Sequence, residues 1–245
     1  MNVCVVIQAR MRATRLPGKM LMDVVGQPMI WHVVERLRRS RETDKIILAV
    51  PDTEDDKALE VFARENSVPC IKGDEENVLA RYHKAIQAHK CEIVVRIAAD
   101  RPFIDPAMID DVIGTHLEGE ADYTANNIIK TFPLGLDVEA FNRQVLERAY
   151  QAAHESYERE HVSPYIYEHP DMFILKNIEA KGKMRRPELR FTVDTAEDLA
   201  FTRAVYGELY HKNNAFTAED VVDLLNRRPD LVEINSKIRQ KKLRE

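Results

Sequence analysis

The sequence predicts an α/β domain with a mostly parallel central sheet and helices on both faces. Three observations predict it. Short apolar runs alternate with helical patterns through roughly the first 120 residues. Those runs are nearly continuous in Val, Ile and Leu, as in strands covered on both faces. No stretch rich in Gly, Ser or Pro divides the chain, and it carries no repeat. One domain over residues 1–245 is the economical reading, with a looser insertion at about 120–185.

In order, Met1 to Ile7 read as the first strand. The helical stretch Ile30 to Arg39 follows, with Val33, Val34 and Leu37 as its apolar stripe. Lys45 to Val50 is a strand, and Pro51-Asp52-Thr53 turns into a helix carrying Leu59, Val61 and Phe62. Pro69-Cys70-Ile71 is a short strand before Gly73, Val78 to His89 is helical, and Glu92 to Ala99 is a strand ending at Asp100. Beyond residue 120 the rhythm loosens. Asp122 to Asn126 and Phe173 to Ile178 read as strands, and Gly135 to Phe141 alternates as an exposed or antiparallel one. Arg143 to Glu158 reads as a helix, Leu189 to Val193 leads to Asp194, and the remainder is helical from Ala196. Thr217-Ala218-Glu219-Asp220 fits a capping box.

Net charge is -5 with a pI near 6.0, which excludes a general nucleic-acid binder. The basic end, Lys237 to Arg244, reads as a helical tail carried past the domain. No run approaches transmembrane length, and no secretory pattern opens the chain. Cys4, Cys70 and Cys91 are widely spaced and odd in number, and they read as small buried hydrophobes in a reducing compartment. A cytoplasmic protein without membrane or nucleic-acid partners is therefore expected.

The chemistry concentrates at strand ends. The loop after the first strand, Gln8 to Lys19, carries Arg10, Arg12, Arg15 and Lys19. Such charges repel one another and suit a polyphosphate, with Arg giving bidentate bonds and Lys a point charge. Pro17-Gly18 supplies a turn. A plain basic surface loop is the competing account. Asp100 and Asp194 each follow an apolar run. Either could cap a helix, Asp194 with Glu197 three residues on. Together with the basic loop they suit Mg²⁺, which takes one or two carboxylates plus substrate phosphates. One site of this kind stabilises charge developing in phosphoryl or nucleotidyl transfer. Neither a GxGxxG after the first strand nor a Walker pattern is present.

These residues carry a family resemblance. Ile7 to Lys19, Asp100 to Pro102, Phe132 to Glu139, Glu160 to Tyr165 and Thr192 to Leu199 are similar, block by block, to spore-coat polysaccharide SpsF-type proteins. That family lies within the acylneuraminate and keto-deoxy-octulosonate cytidylyltransferase superfamily. The resemblance implies a three-layer nucleotide-diphospho-sugar transferase-like fold, and attack by an acidic sugar's hydroxyl on CTP to give a CMP-sugar and pyrophosphate. It implies that Arg10, Arg15 and Lys19 contact the triphosphate, with Ala9 and Arg12 in the same loop. Gly73, Asn77 and Arg81 then lie near base or ribose, Asp100 and Asp194 hold Mg²⁺, and Glu139 and His161 face the acceptor. Arg10, Lys19, Asp100 and Asp194 are the expected catalytic set. Homodimers that pair through the later region are implied too. The chain departs from the family pattern at Arg12-Ala13, where Gly-Ser is usual, and at Ala99, where Gly often stands. A glycosyltransferase consuming a nucleotide sugar, and an inactive nucleotide-binding protein, stay open as alternatives.

Overall fold

A computed structural model describes residues 1–241. The strands are β1 (Val3–Gln8), β2 (Asp23–Val24), β3 (Gln27–Pro28), β4 (Lys45–Pro51), β5 (Cys70–Gly73), β6 (Ile93–Ala98), β7 (Tyr123–Ala125), β8 (Glu139–Asn142) and β9 (Leu175–Asn177). The α-helices are α1 (Met29–Leu37), α2 (Lys57–Glu65), α3 (Val78–His89), α4 (Pro106–Glu118), α5 (Arg143–Ala152), α6 (Ser156–His161), α7 (Pro164–Tyr167), α8 (Ala196–Leu209), α9 (Ala218–Arg227) and α10 (Pro229–Glu233).

Seven strands form one sheet in the order β5-β4-β1-β6-β8-β7-β9. The β5-β4-β1-β6 half is parallel, β8 runs antiparallel to both its neighbours, and β9 is parallel to β7. The sheet is thus mixed. Of the expected run Gly135 to Phe141, only Glu139 to Phe141 are strand, in the antiparallel β8, which is buried rather than exposed. The looser segment supplies β7, β8 and β9 to the same sheet as the N-terminal strands.

Side chains of β1 explain the layering, because successive residues point to opposite faces. Val3, Val5 and Ile7 join a core with α1, α2, α4, α8 and α9. Cys4 and Val6 join the opposite core with α3, α5 and α7. Burial on both faces is why the strands lack a polar face.

Several expectations need correction. Arg143 to Glu158 is not one helix: the chain leaves the helical conformation at Ala153 and restarts at Ser156 under a Glu155–Glu158 capping box. Leu189 to Val193 forms an isolated bridge, Leu134 with Arg190, rather than a strand. Residues 237–241 are not helical and do not run past the domain; Lys242 to Arg244 lie outside the described residues. Cys4 and Cys91 form a disulfide with Cα atoms 5.7 Å apart, and both are fully buried. Their reading as free thiols is overturned, and the inference of a reducing compartment loses that support. The pairing is tertiary: β1 and β6 are neighbours, but 87 residues separate the two cysteines. No helix among the described residues is long and apolar enough to cross a membrane.

Candidate active site

The site lies where β1 and β6 end, at the carboxyl edge that open α/β sheets use for ligands. The loop after β1 closes when Gly18 N–H donates to Met11 O at 2.9 Å. Gly18 adopts φ +76°, a left-handed conformation that glycine takes without strain. A tight 3₁₀ turn, Lys19–Leu21, follows and drives Lys19 inward until it is only 4% exposed.

Inside, the Lys19 ammonium uses all three of its donors. It donates to Asp100 Oδ2 at 2.8 Å, to Asp194 Oδ1 at 3.1 Å and to Val193 O at 2.6 Å. The two acids are 94 residues apart in sequence, and backbone contacts bring them together. Val193 N–H donates to Asp100 O at 2.9 Å, and Thr192 Oγ1 donates to the same oxygen at 3.2 Å. Gly135 permits this approach: at φ +101°, a Cβ there would stand 2.5 Å from Thr192 N.

Asp194 gathers two more cations on its other oxygen, Arg190 at 2.6 Å and Arg15 at 2.9 Å. Asp194 is not the cap of α8. Thr195 is, because its hydroxyl accepts from Asp198 N–H while Asp198 accepts from Thr195 N–H. Asp194 is therefore free of the local role that would explain it away. Asp198 pairs with Arg190 and holds that guanidinium in place.

Charge states follow from the geometry. Burial disfavours the Lys19 ammonium, but Asp100 and Asp194 outweigh it and raise its pKa. Burial likewise opposes ionisation of Asp100, and Lys19 with Arg101 outweighs it, so its pKa is lowered. Both groups are charged near neutrality.

Arg81 forms another wall. It is 2% exposed, and its Nε and Nη1 have no hydrogen-bond partner. Burial, with Arg10 adding repulsion, lowers its pKa. A guanidinium still holds its proton at neutral pH, so this is a buried cation short of an anion. Gly73 makes room for it, since a Cβ there would meet Arg81 Cγ at 2.9 Å. Asn77 caps α3 by accepting from Ala80 N–H at 2.9 Å.

The cleft these groups enclose has a volume of about 680 Å³. Ala9, Arg10, Arg15, Lys19, Arg81, Asp100, His161 and Asp194 all line it. Arg12, Gly73, Asn77 and Glu139 do not. Arg12 turns away to Asp55 at 2.6 Å and Glu75 at 3.8 Å. Glu139 is buried behind the wall, paired with Arg96 and accepting from Ser163 and Asn127. Burial opposes its charge, Arg96 outweighs that, and its pKa is lowered. His161 ends α6 at the rim, and burial lowers its pKa despite Glu160 alongside.

Sequence reading missed Arg190, Arg101 and the tail residues Arg239 and Lys241, and it named Glu160 only within the block that carries His161. Arg101 pairs with Asp137 across the cleft wall at 3.1 Å, and Glu160 pairs with Arg10 at 3.5 Å. Arg190 had a signal: a lone cation in an apolar run, four residues before Asp194 and eight before Asp198.

Among the described residues no group of three or more His, Cys, Asp or Glu side chains could hold a metal. Asp100 and Asp194 nonetheless converge on one cationic atom with hard oxygen donors. That set fits Mg²⁺, which takes the rest of its shell from water and phosphate oxygens.

An α/β sheet with a cation-rich cleft at its carboxyl edge and a converging acid pair defines a nucleotidyltransferase-like protein. A solved cytidylyltransferase from Leptospira borgpetersenii superposes with TM-score 0.90 at 25% identity, over 99% of this chain and all of that one. A CMP:2-keto-3-deoxy-manno-octonic acid synthetase complexed with CTP shares the fold at TM-score 0.63 and 19% identity, over 85% of this chain and 99% of its own. The chain matches the cytidylyltransferase family over residues 4–226 and belongs to it. It is 34% identical to the spore coat polysaccharide biosynthesis protein SpsF of Bacillus subtilis, over 94% of this chain and 96% of that protein. A 3-deoxy-manno-octulosonate cytidylyltransferase of Geobacter sulfurreducens is 36% identical over 49% of this chain and 48% of its own.

Proposed function

We propose that this protein transfers CMP from CTP to a hydroxyl of an acidic sugar, releasing pyrophosphate, in the making of a surface polysaccharide. The observation that carries the proposal is the Lys19 cluster: one buried ammonium between two acids, with Arg15 and Arg190 on the second. In transfer, the sugar oxygen bonds to the α-phosphorus, the bond to the bridging oxygen of pyrophosphate breaks, and the hydroxyl proton leaves. Arg10, Arg15, Lys19 and Arg81 face the triphosphate from several sides and stabilise its charge without reorganising. His161 lines the same cleft, and its lowered pKa leaves it neutral at pH 7, able to accept the proton. Asp100 and Asp194 are the residues that would hold Mg²⁺, which would supply further charge neutralisation at the phosphates. Glu139 supports this acceptor side from behind, through its contact with Ser163 two residues after His161.

The reading includes a homodimer. Ile129, Ile174 and Met172 are exposed near the edge strand β9, and apolar groups on an open sheet edge suit a second copy. It also includes a cytoplasmic location. The test is pyrophosphate release from each of the four nucleoside triphosphates, with Mg²⁺, against a panel of sugar acids. CTP alone should support release, and only with an acceptor. Binding of UDP-sugars without any triphosphate would replace this reading with a glycosyltransferase.

A further inference from the structure

The basic C-terminal segment turns back into the cleft. After α10, Asn235 Nδ2 donates to Arg190 O and to Asp198 Oδ1, both at 3.1 Å. Ile238 N–H then donates to Asn235 O at 3.0 Å and tightens the turn. Gln240 Oε1 accepts from Arg190 Nη1 at 2.6 Å, and Arg15 Nη1 donates to Arg239 O at 3.5 Å. Arg239, Gln240 and Lys241 thereby line the cleft.

Charge makes this arrangement informative. The side chains of Arg239 and Lys241 are exposed and form no ion pair among the described residues. Asp194 already accepts from Lys19, Arg15 and Arg190, and Asp198 is paired with Arg190 as well. Two further cations on the wall of a cleft that already holds Arg15 add like charge to it, and among the described residues neither has an ion-pair partner of its own. The repulsion is relieved when a polyanion fills the cleft.

We propose that Lys237 to Lys241 is a polyphosphate strap: Arg239 and Lys241 hold the outer phosphates of the bound triphosphate, and the pyrophosphate it becomes. Gln240 is the positioning residue, tying the strap through Arg190 to Asp194. The strap rests on the nucleotide reading above, and it adds discrimination between triphosphate and monophosphate.

The test is calorimetric titration of the full chain with CTP, CMP and inorganic tripolyphosphate. Wild type is compared with the double variant Arg239→Ser, Lys241→Ser and with the charge-keeping swap Arg239→Lys, Lys241→Arg. Both side chains are exposed and lack ion-pair partners among the described residues, so the melting temperature should not fall. The double variant should bind CTP and tripolyphosphate about tenfold to a hundredfold more weakly, about tenfold for each charge-assisted hydrogen bond removed. CMP affinity should change less than about threefold. The charge-keeping swap should recover most of the loss. Raising salt should weaken the wild type more steeply than the double variant. Unchanged tripolyphosphate and CTP affinity in the double variant overturns the strap while leaving the cytidylyltransferase reading standing. Equal losses for CTP and CMP overturn it too. Should wild type bind tripolyphosphate through these two cations but not CTP, the strap stands and the nucleotide reading falls.

Discussion

Replacing Lys19 with Met removes the charge at the centre of the cleft and keeps most of the side-chain volume. Breaking a buried ion pair from one side costs about 3–5 kcal/mol, because the remaining charge is left uncompensated. Here the Asp100 and Asp194 side chains retain 22% and 15% exposure, and Asp194 keeps Arg15 and Arg190. Partial solvation lowers the expected loss to about 2–3 kcal/mol. At about 2–4 °C per kcal/mol for a chain of this length, the melting midpoint should fall by about 4–12 °C at pH 7. The pH dependence has a defined sign. Burial opposes ionisation of Asp100, and Lys19 outweighs burial and depresses its pKa. The stability this contributes is present above the unfolded value, about 3.9, and is lost as pH falls through the lower folded value. The deficit of Lys19→Met should therefore be widest near neutrality, begin to narrow as pH falls to about 4, and close only below the lowered folded value of Asp100. Added Mg²⁺ should restore more stability to the variant than to wild type, because the acid pair then lacks its internal cation. Melting curves from pH 3 to pH 8, with and without Mg²⁺, decide the matter. A midpoint within about 2 °C of wild type at pH 7, or an equal Mg²⁺ shift in both proteins, would refute the reasoning.

Three further outcomes are expected. Arg81→Met should raise the melting midpoint, because it removes a buried guanidinium with two unpartnered nitrogens, yet it should weaken triphosphate binding at least tenfold by titration. Gly135→Ala should cost about 2–5 kcal/mol in denaturant unfolding, since both its positive φ and the backbone of Phe191 and Thr192 oppose a Cβ. Light scattering at two concentrations should give twice the 28.3 kDa chain mass, and Ile174→Lys should shift the higher-order species toward the single chain.

Much of this was legible because it is local. The apolar strand runs, the capping box at Thr217 and the limits of α3 follow from patterns within a dozen residues. So does the basic loop after β1, which the turn at Pro17-Gly18 folds onto itself. Convergence was less legible. That Asp100 and Asp194 meet on one ammonium depends on Val193 and Thr192 bonding to Asp100 O, across 92 or more residues of sequence. Arg12 reads like its neighbours in sequence, but the loop turns it outward to Asp55, and no local rule separates it from Arg10 or Arg15. The disulfide and the returning tail are tertiary in the same sense. The tail read as a helix carried past the domain, whereas Arg190 and Arg15 hold residues 239–240 over the cleft.

The most direct measurement of the central claim is product analysis by phosphorus NMR with CTP, Mg²⁺ and a panel of sugar acids. Cytidylyl transfer requires a new phosphodiester signal of a CMP-sugar, matched one for one by pyrophosphate. It also requires that Asp100→Asn, with its fold intact by melting curve, abolish both signals together. Inorganic phosphate and CDP in place of pyrophosphate, or a phosphodiester formed at the wild-type rate by Asp100→Asn, would contradict it.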